Sequence, residues 1–252
     1  MKLSIIIPAH NEEHRLPPVL EAYAEFFSGK YKDEVELIVV PNFCSDRTAQ
    51  VAEALQSRFP AVKVLDDPGQ VGKGGAVVLG AQVAKGELIG FVDADGATAP
   101  EAFDDLVESI GSAGCVIASR WMKDSIVEPR QPLSRRIASR LFNTMVNMMF
   151  GFRVSDTQCG AKLFTQEAMW KILPELGITQ WAFDVDMLFH VRRNGFAIVE
   201  IPTVWRDAAG SKVRVVKASL EMTVALVRLR LVHSPFKGIV EIYNRLAKAL
   251  KR

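Results

Sequence analysis

Leu88-Ile89-Gly90-Phe91-Val92-Asp93-Ala94-Asp95 is an apolar run that ends in two carboxylates. A short run without polar alternation fits a strand covered on both faces. Sheets built from such strands are mostly parallel and collect their ligands at the carboxyl ends of the strands. Side chains at i and i+2 of an extended segment point the same way, so Asp93 and Asp95 can address one ligand. Hard divalent cations such as Mg2+ and Mn2+ favour oxygen donors of this kind, completed by substrate phosphates. Asp-x-Asp is equally at home in a solvated turn, so the pair takes its meaning from its neighbours.

Upstream, residues 3–7, 36–40 and 62–66 read as strands. Residues 12–27, 47–58 and 74–85 read as helices, with Asn11 and Asp46 at the cap positions of the first two. This alternation predicts an α/β domain with a mostly parallel central sheet flanked by helices. The downstream pattern is less regular. Helices are expected over 102–109, 133–150 and 184–193, strands over 115–119 and 197–202, and irregular chain around 156–163. From Val213 on, nine Lys/Arg stand against two Asp/Glu, whereas acidic residues outnumber basic ones before it. Val213, Val216, Leu220, Val224, Val227 and Leu231 share one helical face, and the apolar pattern resumes after Pro235. The expected organisation is a catalytic domain over 1–212 and a basic amphipathic helical tail over 213–252.

The 252 residues suffice for one domain with a substantial core. Three irregularly spaced cysteines suggest neither a disulfide framework nor a zinc site, and reduced thiols fit the cytoplasm. The N-terminal apolar run is too short for a signal peptide, and no window of about 18 apolar residues predicts a transmembrane helix. A basic tail with an apolar stripe suits an anionic membrane surface. Nucleic acid is set aside as a partner, because no recognised motif or aromatic stacking pattern accompanies the charge.

Three further loops follow predicted strands or open predicted helices. Pro8-Ala9-His10-Asn11-Glu12-Glu13 follows the first strand, and Pro41-Asn42-Phe43-Cys44-Ser45-Asp46-Arg47-Thr48 follows the second. In Gly72-Lys73-Gly74-Gly75-Ala76 the glycines let backbone approach an anion, and the Lys73 ammonium can meet a diphosphate. It is not a Walker loop, because Gly74 stands where the magnesium-binding Ser/Thr would be. Downstream come Ala118-Ser119-Arg120, Asp156-Thr157-Gln158-Cys159-Gly160-Ala161-Lys162-Leu163-Phe164, Ala182-Phe183-Asp184-Val185-Asp186 and Trp205-Arg206-Asp207, with Gly210-Ser211-Lys212 beyond.

In order and spacing these pieces resemble the inverting glycosyltransferases of family 2, with their GT-A nucleotide-diphospho-sugar transferase fold. They look most like the branch that glycosylates polyprenyl phosphates, and its glucosyl members more than its mannosyl ones. The resemblance covers about residues 2–212. It implies that Pro8, Asn11, Glu12, Asn42 and Asp46 line a nucleotide-sugar pocket, that Lys73 meets the diphosphate, and that Asp93 and Asp95 hold Mg2+ or Mn2+. It further implies that Arg120, Arg135, Arg136 and Lys212 bind the acceptor phosphate and that Asp184 supports catalysis, for example by orienting an arginine. The bland readings are helix caps for Asn11, Glu12 and Asp184, and surface salt bridges for Arg135 and Arg136. The family often has Asp-Asp-Gly-Ser where this chain has Pro41-Asn42-Phe43-Cys44, so the base it reads is open.

The implied reaction moves a hexose, first of all glucose from UDP-glucose, onto a polyprenyl phosphate at the cytoplasmic face of a membrane. The rivals are a GDP-mannose donor, a soluble or polysaccharide acceptor, and a nucleotide-sugar sensor without turnover. The residue pattern leaves the oligomeric state open.

Overall fold

A computed structural model of the chain describes residues 1–66, 69–129, 132–177, 182–206, 215–234 and 238. Nine strands and eight α-helices lie among them. A seven-stranded sheet has the order β3-β2-β1-β4-β7-β5-β8. Its members are β1 (Leu3–Ala9), β2 (Val35–Pro41), β3 (Val62–Val64), β4 (Leu88–Val92), β5 (Cys115–Ser119), β7 (Ala161–Thr165) and β8 (Ile198–Pro202). Only β7 breaks the parallel arrangement, lying antiparallel to both β4 and β5. A separate ribbon pairs β6 (Ile126–Glu128) with β9 (Val204–Arg206).

The strand order places the site. Successive strands run outward from β1 to β2 and β3, then the chain returns to put β4 on the other side of β1. Loops leaving β1 and β4 therefore diverge, and such a reversal opens a crevice at the carboxyl ends. The apolar runs of β1 and β2 are buried on both faces. Leu3, Ile5 and Ile7 pack toward α1 (Leu16–Tyr31), α2 (Thr48–Arg58) and α4 (Pro100–Glu108). Ile6 and Phe91 face α3 (Gly72–Val83), α6 (Gln166–Ile172) and α7 (Phe183–Arg193). The close approach of α3 to β1 depends on Gly80, where a Cβ would overlap the Ile6 side chain.

Several boundaries differ from the sequence reading. The first helix begins at Leu16, because Pro17 and Pro18 suit its opening turn and residues 11–15 do other work. Asn11 therefore does not cap it. Nor is Asp184 a cap, since it sits inside the first turn of α7. The stretch expected to be irregular contains β7. The helix α5 (Leu133–Phe150) has its predicted bounds, and α8 (Val215–Val232) follows β9. On α8, Leu226 and Leu229 are buried, while Val224 and Val227, expected on the packed or membrane face, are exposed. The second tail helix, from residue 236, lies outside the described residues, as does Lys212.

Candidate active site

The loops after β1 and β2 are laced together at the crevice. Asn11 has a left-handed backbone, φ 56°, and its Oδ1 accepts from the Ser45 amide at 2.8 Å and the Ser45 hydroxyl at 3.2 Å. The Glu12 amide donates to Thr48 Oγ1 at 2.7 Å, and Asp46 accepts from the amides of Thr48 and Glu13 at 3.0 and 3.2 Å. Burial opposes the Asp46 charge, but these donors hold its pKa below the usual carboxylate value. Glu12 is different. Burial raises its pKa, and Arg15, paired with it at 2.5 Å, offsets this only in part. Asn42 is buried, and its Oδ1 accepts from the Val71 amide at 3.1 Å. Its NH2 is thus the group that can donate to a ligand. Pro8 lies within β1, in register with Val40, so it shapes the strand end from inside the sheet.

Asp93 and Asp95 leave the carboxyl end of β4. The register pairs Val92 with Ala161 across the antiparallel β4–β7 contact, which carries Gly160 up to Asp93. A Cβ on Gly160 would overlap Asp93 Oδ2, so only glycine leaves room for this carboxylate. Lys73, at the start of α3, reaches Asp93 Oδ1 at 2.6 Å. Burial disfavours the Lys73 charge, but Asp93, Asp184 and Asp95 outweigh it and hold the ammonium above the ordinary lysine value. Among the described residues no cation is in ion-pair contact with Asp95. Its Oδ1 accepts from the Ala97 amide at 3.0 Å, while burial and then Asp93 push its pKa up.

Behind this pair runs a buried ion pair. Lys162 is opposite Phe91 in the β4–β7 register and is wholly inaccessible. Its Nζ donates to Asp184 Oδ1 at 2.5 Å and to the Cys159 carbonyl at 2.6 Å. Burial acts against the Asp184 charge, but Lys162 and Lys73 lower its pKa. Asp184 is thus oriented by lysine, correcting the expectation that it orients an arginine. The arginine partner is Asp156. Arg120, just past β5, donates through Nε at 2.7 Å and Nη2 at 3.0 Å to the two Asp156 oxygens. It also lies over the Trp205 ring, 5.0 Å from its centroid. Burial opposes its charge, but Asp156 holds it firmly protonated.

A cavity of about 530 Å3 opens beside Arg120, lined also by Trp121, Met122, Ser125, Ile126 and Arg136. The Arg136 guanidinium lies over the Trp121 ring at 6.0 Å, and the indole N–H of Trp121 is buried without an acceptor among the described residues. Arg135 is the half-buried neighbour on α5 and does not join that lining. The α5 side chains Leu133, Ile137, Leu141 and Met148 are exposed, forming an outward apolar stripe.

The family model for glycosyl transferase family 2 matches residues 4–173, two thirds of the chain. The chain belongs to glycosyl transferase family 2. This glycosyltransferase is 33% identical over 240 residues to the dolichyl-phosphate beta-glucosyltransferase of Dictyostelium discoideum, covering 90% of the chain and 73% of the relative. The enzyme of that name from Saccharomyces cerevisiae is 30% identical over 250 residues, covering 92% and 75%. Among solved structures, glucosyl-3-phosphoglycerate synthase from Mycobacterium tuberculosis in complex with UDP superposes with a TM-score of 0.71 at 17% identity, covering 93% of this chain and 82% of that one. A complex of the same synthase with Mn2+, UDP and glucosyl-3-phosphoglycerate gives 0.66 at 19% identity, covering 91% and 79%. These likenesses show the GT-A fold.

In this glycosyltransferase the structure brings Asn11, Glu12, Asn42 and Asp46 together in the loops after β1 and β2, and Lys73, Asp93 and Asp95 at the end of β4, with Asp184 behind them. Arg120 and Arg136 line the cavity past β5. Reasoning from the sequence passed over Asp156, Gly160, Lys162 and Trp205 as individual site residues. All four stand in motif stretches, but their roles depend on the antiparallel pairing of β7 and on the β6–β9 ribbon.

Proposed function

We propose that this glycosyltransferase moves glucose from UDP-glucose onto a polyprenyl phosphate, with inversion at the anomeric carbon. The observation that carries the reading is the cavity shared by Arg120 and Arg136, opening beside the exposed apolar stripe of α5. An acceptor with a phosphate head and a hydrocarbon chain matches both features, since guanidinium binds phosphate oxygens through paired hydrogen bonds. The relatives named dolichyl-phosphate beta-glucosyltransferase and the UDP complex of the structural neighbour point the same way.

The donor set fits a divalent cation. Asp93 and Asp95 offer carboxylate oxygens, Lys73 already pairs with Asp93, and Asp95 is the less compensated of the two. Among the described residues no group of three or more His, Cys, Asp or Glu forms a closed metal site. A bound Mg2+ or Mn2+ would then take its remaining ligands from the diphosphate and water, and would neutralise the charge that develops on the leaving diphosphate. Lys73 adds a second cation on that side. Arg120, fixed by Asp156 and Trp205, orients the acceptor phosphate. Its oxygen attacks the anomeric carbon from the face opposite the bond to UDP, and UDP departs with that bond's electrons. No strong base is required, because a phosphate monoester with a second pKa of about 6 is largely dianionic at neutral pH. Asp184, ionised and bound to Lys162, holds the Cys159–Gly160 turn rather than moving a proton.

The enzyme would work peripherally, at the cytoplasmic membrane surface. No helix among the described residues is long and apolar enough to cross a membrane. The α5 stripe and the basic residues from 213 onward would supply the contact. The decisive experiment incubates the protein with UDP-glucose or GDP-mannose and either a polyprenyl phosphate or free sugar acceptors, with Mn2+ or EDTA. Glucose transfer to the lipid phosphate, lost in EDTA and in a folded Asp95→Ala variant, is expected. Preference for GDP-mannose overturns the donor, transfer only to soluble acceptors overturns the acceptor, and full turnover in EDTA overturns the metal.

A further inference from the structure

The loop between β2 and α2 carries a residue that the reaction described so far does not use. Phe43 has φ 54°, in the left-handed region, and the residue is 57% exposed. Both features are unfavourable for phenylalanine: the left-handed backbone crowds its Cβ, and a large aromatic ring faces water. Glycine, which the family pattern often has at this position, would avoid both. The conformation is imposed from both sides. The Asn42 amide donates to the Ala9 carbonyl at 2.9 Å, and His10 Nδ1 lies 2.7 Å from the Asn42 carbonyl. Cys44 Sγ donates to the Ala9 carbonyl at 3.4 Å, and the Ser45 amide is held by Asn11 at 2.8 Å. Local strain that persists because its surroundings over-determine it collects at ligand clamps. Here the clamp sits at the carboxyl ends of β1 and β2, on the donor side of the crevice.

We propose that Phe43 is a stacking platform for the nucleobase of the donor. The inference rests on reading this crevice as a nucleotide-sugar pocket. Pro41 and Asn42 replace the acidic pair that the family often has, so this chain has no carboxylate at those positions to hold a base. The Asn42 oxygen is engaged by the Val71 amide, which leaves its NH2 as a hydrogen-bond donor to a base edge. An exposed ring with a preset backbone supplies what is missing, a face on which the base can lie. Stacking of this kind tolerates any base, so Phe43 sets affinity while Asn42 reads the edge.

The test is calorimetric titration of the full chain and of Phe43→Gly and Phe43→Trp with UDP, uridine and pyrophosphate, alongside thermal melting. Loss of one base–aromatic stack predicts that Phe43→Gly binds UDP and uridine about tenfold more weakly. Its pyrophosphate affinity should be unchanged and its melting temperature equal or higher, because strain is relieved. Phe43→Trp should bind UDP at least as tightly as the wild type. Undiminished UDP affinity in Phe43→Gly overturns the proposal, as does equal weakening toward uridine and pyrophosphate or a lowered melting temperature. A wild-type chain that binds neither UDP nor GDP overturns the nucleotide-sugar reading itself, and this role with it.

Discussion

Where the β1 and β4 loops meet at the crevice, the end proposed to bind the donor, Glu12 and Asp95 have raised pKa values, from burial first and, for Asp95, then from Asp93. At the other end Asp184 is more deeply buried, yet its pKa is lowered, because Lys162 and Lys73 outweigh that burial. The side-chain chemistry is the same, and the counterions make the difference. Lys162 is wholly buried and its partner Asp184 nearly so, and Arg120 and Asp156 form a second nearly closed pair. Closed pairs hold positions. Asp95, which no cation pairs with among the described residues, keeps a charge that is only partly compensated. The contrast separates a region whose charges are compensated within the chain from one whose charges are not, and on the proposed function the first positions groups while the second binds.

The sharpest way to break this comparison is to open the closed pair. Lys162→Met leaves Asp184 buried with its nearest partner gone, and removing one side of a buried pair costs about 3–5 kcal/mol. Denaturant unfolding at pH 7 should show a loss of that size, and an unchanged midpoint would mean that the pair contributes nothing to the fold. The pH dependence has a definite sign. A depressed folded-state pKa contributes stability that is present above the unfolded value, near 3.8, and is lost as pH falls through the folded value. Wild-type stability should therefore decline at the acid end through Asp184. In Lys162→Met that part of the decline should flatten.

A smaller effect is expected where the two regions touch. Gly160 belongs to the positioning side, yet the missing Cβ makes room for Asp93 on the binding side. Gly160→Ala should displace the Asp93 carboxylate and lower turnover by about ten- to a hundredfold, as misplacement by around 1 Å does elsewhere. UDP-glucose assays in saturating Mn2+ measure this. Wild-type turnover would show that Asp93 needs no such cradle.

The same contrast explains what the sequence disclosed. Strands β1, β2 and β4 are apolar runs whose loops carry their own chemistry, so the strands and the polar loops at their ends were legible from local pattern. Strand β7 was not. Ala161-Lys162-Leu163-Phe164-Thr165 has a lysine at its second position and follows glycine, and nothing local says that this lysine is buried. Its place comes from pairing with β4 and β5, strands far away in the chain. Asn11 fits a helix-cap pattern, but the loop it belongs to turns toward Ser45 instead. The loop charges at the crevice are local features, whereas the buried charges behind them are products of topology.

The smallest expected effect tests the binding side alone. Asp95 is half-buried beside Asp93, and the Ala97 amide, Arg15 and Lys73 compensate its charge only in part, so at neutral pH without metal that charge works against the fold. Asn can keep the hydrogen bond from the Ala97 amide while removing that charge. Asp95→Asn should therefore raise the melting temperature of the metal-free protein by about 2–4 °C, corresponding to on the order of 1 kcal/mol. Adding Mn2+ with UDP stabilises whatever binds it by mass action, so the wild type should then gain more than the variant and overtake it. A carboxylate kept for structure predicts the reverse, a metal-free variant that melts lower, as Lys162→Met should. If Asp95→Asn melted lower and still gained as much as the wild type from Mn2+ and UDP, Asp95 would belong with Asp184 among the positioning groups. The uncompensated charge at the donor end would then need another explanation.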